Sequence, residues 1–337
     1  MKKKSVYSVT TITPHRISFI GGGSDYSDYY TQKEGGVINS TINKYLLVTV
    51  KKHSAIYPEK YRIMYSKTEF CNSLVKIKNN IARECLRLVP VETPITITTN
   101  SDLPPESGAG SSSAFAVGLL NALHHFRGEK PSCTQLAKEA CKVEIDILKK
   151  NSGKQDQYAA AFGGFNKFTF KKNGQVIIEP LNISNKNIQK IFKNLFLIWT
   201  GITRNSSKIV KDYKLKSSDT SKTIDKLMNY LVPFKKSIEN KNLNLKLISN
   251  LIEKTWKIKK NISKTISNDK IKKISKTLYK NKINGHRVIG AGGGGFILCL
   301  TNSNREKKKL ISKLKKIISV EIKFEPNGSR LLSILYN

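Results

Sequence analysis

The chain has 337 residues, 39% of them hydrophobic, which is enough for one large domain or two smaller ones with packed cores. Its 60 Lys and Arg against 24 Asp and Glu give a formal net charge of +36, a balance that nucleic-acid and membrane-surface proteins also show. The basic residues are scattered lysines rather than an aromatic-interleaved stripe. We therefore expect solvated faces that attract phosphorylated substrates, with no nucleic-acid and no membrane partner.

Two further features bear on the compartment. The N-terminal residues MKKKSVYSVTTITP are basic but no apolar stretch follows them, so no signal peptide is predicted, and no run is long enough for a transmembrane helix. Five cysteines without CxxC spacing argue against a disulfide framework or a metal site. We expect a cytoplasmic protein.

The first hundred residues predict mainly strands. Alternating β-branched residues predict a strand at 6–12, which Pro14 should end, and a second strand at 16–20 that enters a glycine turn at 21–23. Gly35 and Gly36 predict another turn. Further strands are predicted at 45–51, 61–65 and 94–99, and apolar residues at helical spacing predict a helix at 72–88.

Two charged residues flank the first glycine turn. Arg16 stands inside the predicted strand, where it is either a solvated charge or a functional group. Asp25 closes the turn, where it could cap a helix or present a carboxylate to a polyol. The local sequence pattern alone does not decide between the two roles of Arg16 or between the two roles of Asp25.

The central stretch, LPPESGAGSSSAFAVGLL at 103–120, combines two prolines, a small-residue loop and three serines that open an apolar helix. Serines at a helix start accept hydrogen bonds from orphan N–H groups, and the same N–H groups and the helix dipole also suit a phosphate. The stretch alone is equally compatible with a capped buried helix and with phosphate binding.

The chain after this loop predicts a second helix at 132–149, which carries Glu144, and an alanine-rich helix within 154–164. Asp156 falls near the start of that helix, where a carboxylate is favoured whatever its function. A hairpin is predicted at 165–170 and 175–179 around Asn173-Gly174.

The C-terminal part predicts a strand at 195–200, three or four helices within 206–282, and a strand, glycine loop and strand at 287–300. A basic helix at 305–318 and strands at 320–324 and 330–335 complete the chain. This order predicts an α+β fold with helices on one face of a sheet and a boundary between halves near 182–190.

The glycine-rich turns and the charged residues near them together form the inventory that phosphoryl transfer needs. That reaction requires backbone donors for phosphates, oxygens for Mg²⁺, a carboxylate for a hydroxyl and a cation for developing charge. The chain contains no GxxxxGK[ST] motif, no HRD or DFG set and no dinucleotide-binding GxGxxG in its expected place.

Three segments, TPHRISFIGGGSDYSDYY, LPPESGAGSSSAFAVGLL and GAGGGGFILCL, resemble in order and spacing the three motifs of the GHMP kinases. Within that family the segments RISFIGGGSD, GGVINSTINKYLLVTV, KQDQYAAAFGG and WTGITR most resemble the D-glycero-D-manno-heptose 7-phosphate kinases. The resemblance implies an ATP-dependent enzyme that phosphorylates the anomeric C1 hydroxyl to give the 1,7-bisphosphate, toward nucleotide-activated heptose for surface polysaccharide.

The resemblance also implies the architecture and the catalytic machinery. The fold would join a ribosomal-protein-S5-like N-terminal ATP-binding domain at 1–185 to a ferredoxin-like C-terminal domain at 186–337. Asp156 would be the base and Arg16 its partner, while Ser112 and Glu144 would ligate Mg²⁺. The ATP-binding residues it implies are Pro105, Gly108, Ala109, Gly110, Ser111, Ser112 and Ser113.

For the sugar, the resemblance implies contacts from both ends of the chain. These residues are Gly22, Gly23, Ser24, Asp25, Arg204, Gly293 and Gly294. Arg204 would hold the distal phosphate, since a planar guanidinium suits a dianion. The alternatives are an L-fucokinase-like enzyme acting on an unphosphorylated sugar, an inactive sugar or nucleotide sensor, and a nucleic-acid-binding protein; a homodimer is compatible with each.

Overall fold

The computed structural model describes residues 5–203, 206–213, 217–314 and 317–337. The strands in these residues are β1 (Val6–Ile20), β2 (Gly35–Lys52), β3 (Tyr61–Met64), β4 (Thr68–Cys71), β5 (Ile95–Ser101), β6 (Phe165–Phe170), β7 (Val176–Pro180), β8 (Leu195–Trp199), β9 (Gly285–Val288), β10 (Phe296–Leu300), β11 (Ser319–Glu321) and β12 (Arg330–Tyr336).

The helices in the same residues are α1 (Ser27–Tyr30), α2 (Asn80–Leu88), α3 (Ser111–Phe126), α4 (Cys133–Cys141), α5 (Gln155–Phe162), α6 (Asn185–Lys193), α7 (Ser206–Lys211), α8 (Ser218–Met228), α9 (Leu231–Glu239), α10 (Leu245–Lys259), α11 (Asp269–Lys280) and α12 (Asn304–Lys313). Two short 3₁₀ segments, Leu74–Lys76 and Lys264–Ile266, and a π-helical segment, Lys142–Ile147, complete the assignment. The predicted α+β class is confirmed.

An eight-stranded sheet forms the first half of the molecule. Its order is β12-β1-β2-β5-β3-β4, and β6 pairs with both β2 and β7. The pairing is antiparallel except between β3 and β5. The last strand of the chain belongs to this sheet, because β12 lies beside β1 with Val6 opposite Tyr336.

The predicted break at Pro14 is wrong, because β1 runs through it as one strand. Pro14 stands opposite Tyr45 of β2, and the register shifts before the next pair, His15 with Ile42. Proline supplies no N–H to a sheet, and a bulge is one of the few places where a strand tolerates it. Arg16 therefore continues a strand that starts ten residues earlier.

The predicted turn at Gly35 and Gly36 is also wrong, since both residues begin β2. Their small size serves contact between segments. A Cβ atom on Gly35 would lie 2.0 Å from the carbonyl oxygen of Ser24, and one on Gly21 would lie 2.0 Å from that of Gly36. The glycines let the loop after β1 lie directly on β2.

Helix α3 is the centre of the first half. It packs on β1 and β2 and is covered by α2, α4 and α5, so nearly all its residues are buried. A helix that is buried on all sides is apolar on all sides, and the residues of α3 from Ala114 to Leu120 are all apolar. The surrounding core fixes α3 and thereby the position of the loop that precedes it.

The second sheet is antiparallel with the order β11-β8-β10-β9. The segment between β8 and β9 contains five helices in the described part, so the expectation of three or four is wrong; short turns divide α8, α9 and α10. Ile17 and Phe19 of β1 share a core with Leu197 and Phe296 of the second sheet. The domain boundary at 185 stays a prediction. In the described residues, each helix is too short or too polar to cross a membrane.

Candidate active site

A cleft opens where elements of both sheets meet. Its wall comes from the loop after β1, the loop before α3, the segment from Lys150 to Asp156 at the start of α5, and the glycine loop before β10. Gly290 and Ala291 supply the last of these. The three glycine-rich motifs, far apart in sequence, thus lie around one cavity.

The loop before α3 presents a helix N-terminus to this cleft. Gly110 has φ of 78°, a left-handed conformation that favours glycine, and it forms the N-cap of α3. A Cβ atom there would lie 3.5 Å from Asp156 Oδ2. Ser111 Oγ is buried and has no hydrogen-bond partner in the described part of the chain. The orphan N–H groups and dipole of a 16-residue helix form an anion site at this end.

Arg16 and Asp156 form a bidentate ion pair beside that loop. Arg16 Nε donates to Asp156 Oδ1 at 2.7 Å, and a second guanidinium nitrogen donates to Oδ2 at 2.6 Å. Arg16 Nη1 also donates to the carbonyl of Gly108 at 2.5 Å, and its backbone N–H donates to Ala109 at 3.1 Å. Arg16 therefore joins the helix-capping loop to the carboxylate that faces the cleft.

Glu144 lies at the other side of the helix start, within the π-helical segment. Its carboxylate is buried and receives hydrogen bonds from Ser112 Oγ, from Ser113 Oγ at 2.6 Å and from Gln157 Nε2 at 2.8 Å. Lys150 Nζ lies 3.1 Å from Glu144 Oε1 and 2.9 Å from Ser112 Oγ. The two oxygens that the family resemblance assigns to a metal thus already contact a cation.

Asp25 is the second carboxylate of the cleft that is almost fully buried. It accepts from the backbone N–H of Gly23 at 3.0 Å and from that of Gln155 at 3.4 Å. Burial and, secondly, the negative charge of Asp156 raise the pKa of Asp25 to about 6. A Cβ atom on Gly153 would lie 1.9 Å from Asp25 Oδ2, so only glycine fits beside the carboxylate.

The structure brings together most of the predicted site residues but not all of them. Those lining the cleft are Arg16, Gly22, Gly23, Asp25, Gly108, Gly110, Ser111, Ser112, Ser113, Glu144 and Asp156. Ala109 is buried behind the loop, and Pro105 is exposed outside the cleft wall. Ser24 donates its hydroxyl to Gly21 and Gly36 and so closes the turn.

Gly293 and Gly294 also lie away from the cleft wall. The N–H of Gly293 donates to Ile266 at 2.7 Å, and a Cβ atom on Gly294 would lie 2.9 Å from the carbonyl oxygen of Ile202. Gly290 and Ala291 line the cleft in their place. Arg204 lies outside the described residues, and its role stays a prediction.

Sequence reasoning missed Lys150, Gln157 and Lys259, all of which contribute to the site. Lys150 and Gln157 contact Glu144, and Lys259 of α10 lines the cleft. Among 60 Lys and Arg the two lysines carry no distinguishing signal. Gln157 follows Asp156 directly and faces Glu144, so helix geometry around a known Asp156 could have identified it.

Known proteins are similar to this chain both in sequence and in fold. The model of the GHMP kinases N-terminal domain matches residues 72–164. A D-glycero-alpha-D-manno-heptose 7-phosphate kinase of Campylobacter jejuni subsp. jejuni serotype O:2 is 30% identical over 323 residues, 92% of this chain and 94% of that protein. A bifunctional fucokinase/GDP-fucose pyrophosphorylase of Arabidopsis thaliana is 21% identical over 335 residues, 92% of this chain and 31% of that protein.

Among solved structures, a D-glycero-D-manno-heptose 1-phosphate kinase from Bacteriodes thetaiotaomicron superposes with a TM-score of 0.74 at 21% identity, covering 97% of this chain and 99% of that one. That likeness extends the shared fold over nearly the whole chain. The 30% identity to the Campylobacter jejuni kinase and the family match together define an ATP-dependent sugar kinase. The chain belongs to the GHMP kinase family, as its three motifs predicted.

Proposed function

We propose that the enzyme transfers the γ-phosphoryl group of ATP to the anomeric C1 hydroxyl of D-glycero-D-manno-heptose 7-phosphate and produces the 1,7-bisphosphate. The choice of sugar is supported by the 30% identity to the Campylobacter jejuni kinase, which extends over nearly the full length of both proteins. The choice of reaction is supported by the geometry around Asp156.

The observation that carries the chemistry is the Arg16–Asp156 pair at the start of α3. Asp156 accepts the proton of the C1 hydroxyl while the C1 oxygen forms a bond to the γ-phosphorus. The bond between that phosphorus and the β–γ bridging oxygen breaks, and ADP leaves with the electron pair. Arg16 fixes the direction of the carboxylate and places positive charge beside the transferring group.

The loop from Gly108 to Ser113 would hold the nucleotide phosphates, because its backbone and the helix dipole favour anions there. Mg²⁺ would be held by Ser112 Oγ and Glu144. These oxygens fit a hard cation, since they already accept from the Lys150 ammonium at 2.9 and 3.1 Å. Bound there, Mg²⁺ would neutralise charge on the β- and γ-phosphates.

The sugar would lie on the side of Asp156 that faces Asp25 and Gly23. Asp25 points its buried carboxylate at this part of the cleft and can accept hydrogen bonds from sugar hydroxyls. Gly23 and Gly22 leave the wall free of side chains, so a polyol can approach the backbone. A cleft lined by charged side chains and by backbone without side chains suits a sugar phosphate.

The test is a substrate comparison with purified enzyme, Mg²⁺ and ATP, in which ADP release is measured and the product is identified by ³¹P NMR. The proposal requires the highest kcat/KM with D-glycero-D-manno-heptose 7-phosphate and a new anomeric phosphate in the product. A preference for L-fucose or another unphosphorylated sugar would contradict it and favour the fucokinase-like alternative. If none of the sugars tested supported ADP release, the choice of substrate class would be contradicted.

A further inference from the structure

We propose that a phosphate-binding subsite lies beside Gly22, where Lys259 and Gln155 line the cleft and Ser18 is buried next to them, and that it holds the phosphate that the sugar substrate already carries. The subsite is separate from the loop before α3. The proposal rests on the proposed function, because only a phosphorylated substrate needs an anion site at the end remote from C1.

Three polar atoms from separate elements converge on Gly22. A Cβ atom on that glycine would lie 3.8 Å from Lys259 Nζ, 3.9 Å from Gln155 Nε2 and 3.9 Å from Ser18 Oγ. The lysine comes from the end of α10, the glutamine from the start of α5 and the serine from β1. An ammonium, an amide and a hydroxyl thus lie near the open side of one glycine, and each of these groups can donate to a phosphate oxygen.

All three side chains are buried, and two of them carry polar atoms that a ligand could pair. Lys259 and Ser18 are each 3% exposed and Gln155 is 8% exposed. Ser18 Oγ and Gln155 Oε1 have no hydrogen-bond partner in the residues that the structure describes. A buried polar atom without a partner is costly, so a ligand that pairs with it gains affinity. A phosphate accepts from the serine hydroxyl, and Gln155 Oε1 accepts from an adjacent sugar hydroxyl.

The ammonium of Lys259 selects for charge. It donates to the carbonyl of Gly290 at 2.5 Å at the edge of the cleft, and its side chain is shielded from solvent. A positive charge shielded from solvent attracts an anion far more strongly than it attracts a neutral hydroxyl. A phosphate monoester dianion therefore matches this subsite, and an unphosphorylated sugar does not.

The subsite lies on the sugar side of the reacting centre. Gln155 and Asp156 are consecutive residues of α5, so their side chains point about 100° apart around the helix axis. Asp156 points to Arg16 and the loop before α3, and Gln155 points to Gly22. A sugar with its C1 hydroxyl at Asp156 can thus extend past Asp25 toward Lys259.

The sharpest test is Ser18→Ala. Because Ser18 Oγ has no partner in the described residues, its removal should leave the melting temperature unchanged or higher. The Kd for D-glycero-D-manno-heptose 7-phosphate should rise roughly tenfold, since a hydrogen bond to a charged group is lost. The Kd for the unphosphorylated heptose and for ATP should stay the same, as measured by titration calorimetry.

Two further variants test the charge and the space. Lys259→Met should weaken heptose 7-phosphate binding more than Ser18→Ala does, whereas Lys254→Met, an exposed lysine on the same helix, should have no effect. Gly22→Ala places a methyl at ordinary contact distance from all three atoms and so should block phosphate binding in a folded protein.

Equal losses for the phosphorylated and unphosphorylated sugar, or no loss for either, would overturn the subsite while leaving the proposed function intact. Failure of the wild type to turn over heptose 7-phosphate would instead refute the proposed function. In that case the subsite is tested by measuring the Kd values for mannose 6-phosphate and for mannose, and equal affinity for the two would overturn it.

Discussion

Asp156 uses both carboxylate oxygens to bind Arg16, yet a fifth of its side chain remains exposed to the cleft. In the proposed reaction this combination would separate orientation from reactivity, because the guanidinium fixes the carboxylate while its exposed edge would meet the sugar hydroxyl. If Asp156 were only a favourable charge at the start of α5, it would need neither the Arg16 pair nor an edge open to the cleft.

Replacing Asp156 by Asn should reduce kcat by orders of magnitude and leave the Kd for ATP near the wild-type value, because the amide cannot accept the hydroxyl proton. Stopped assays of ADP release and nucleotide titrations measure the two quantities. Asp146→Asn, at an exposed carboxylate nearby, is the matched control. A kcat close to that of the wild type would show that Asp156 is only a helix charge.

Glu144→Gln should raise the Mg²⁺ concentration that gives half-maximal rate, because a hard cation gains most from a carboxylate charge. The variant keeps the size of the side chain and can still accept from Ser113 Oγ. Rates measured across a Mg²⁺ titration at saturating ATP test this. An unchanged Mg²⁺ dependence would contradict the assignment of Glu144 as a metal ligand.

Asp25 gives a pH-dependent prediction. Its pKa is raised from 3.8 to about 6 by burial, so its contribution to stability is fully present below about pH 4 and is lost as the pH rises through 6. Asp25→Asn should remove this loss. We expect the unfolding free energy of the variant, relative to the wild type, to increase by about 3 kcal/mol between pH 4 and 7.

Urea unfolding at several pH values measures that difference. Parallel pH dependences for the two proteins would contradict the raised pKa of Asp25. The comparison with the variant isolates the contribution of Asp25 from those of the other ionisable groups of the protein.

The motifs predicted Arg16, Asp25, Glu144 and Asp156 because each stands in a short segment with its own pattern. The partners of these residues were not predictable in the same way. Lys259 reaches the cleft from α10, more than a hundred residues after Gln155, and only tertiary packing brings the two together. The motifs therefore predicted residues that the structure brings into one cleft, but not the groups that surround them.

At the scale of elements, the segment that carries Glu144 shows the limit of periodicity. The sequence predicts one helix at 132–149, but α4 ends at Cys141 and the next six residues are π-helical. The N–H of Leu148 bonds the carbonyl of Val143, five residues back. Such a bulge often occurs at functional sites, and apolar spacing does not reveal it. It shifts Glu144 relative to the face that a regular helix would give it.

Helix α3 gives an element-scale prediction, because it packs tightly against β1 at Gly118. A Cβ atom on Gly118 would lie 2.7 Å from Thr13 Oγ1 and 3.3 Å from Val48 Cγ2. Gly118→Ala should lower the unfolding free energy by about 1–3 kcal/mol, although alanine is the better helix former. Adding Thr13→Ala should restore part of the loss, so the double variant is more stable than the sum predicts.

Denaturant unfolding of the four proteins in this cycle measures the coupling. Strict additivity would show that the helix does not meet the strand at Gly118. Because α3 positions the loop that ends at Gly110, Gly118→Ala should also weaken ATP binding, and the double variant should recover part of that affinity.

At the scale of the whole molecule, the pairing of β12 with β1 is what local pattern could least foresee. Both strands were predicted from their residues, but their contact joins Val6 to Tyr336. Neither segment specifies which strand it pairs with, because antiparallel neighbours need only matching alternation of apolar and polar residues. The order of strands within the sheets is thus a tertiary property, whereas most strand positions are local ones.

The net charge of +36 predicts that the folded protein repels itself at low ionic strength. We expect the melting temperature to rise by several degrees when NaCl is increased from about 20 to about 200 mM, because salt screens charges beyond roughly 10 Å. Scanning calorimetry in NaCl, with sorbitol at equal osmolality as the control, tests this. A lower melting temperature in salt would mean that the surface ion pairs outweigh the repulsion.

Lys150 would make metal loading an exchange of one cation for another. Its ammonium lies 2.9 Å from Ser112 Oγ and 3.1 Å from Glu144 Oε1, so Mg²⁺ held by these two oxygens, as proposed above, would replace a bound partner as well as water. That competition would lower the metal affinity of the free enzyme, and nucleotide phosphates that gave the displaced ammonium a new partner would restore it. By reciprocity each ligand would then strengthen the binding of the other. Metal and nucleotide would be taken up together, and free Mg²⁺ would stay in solution.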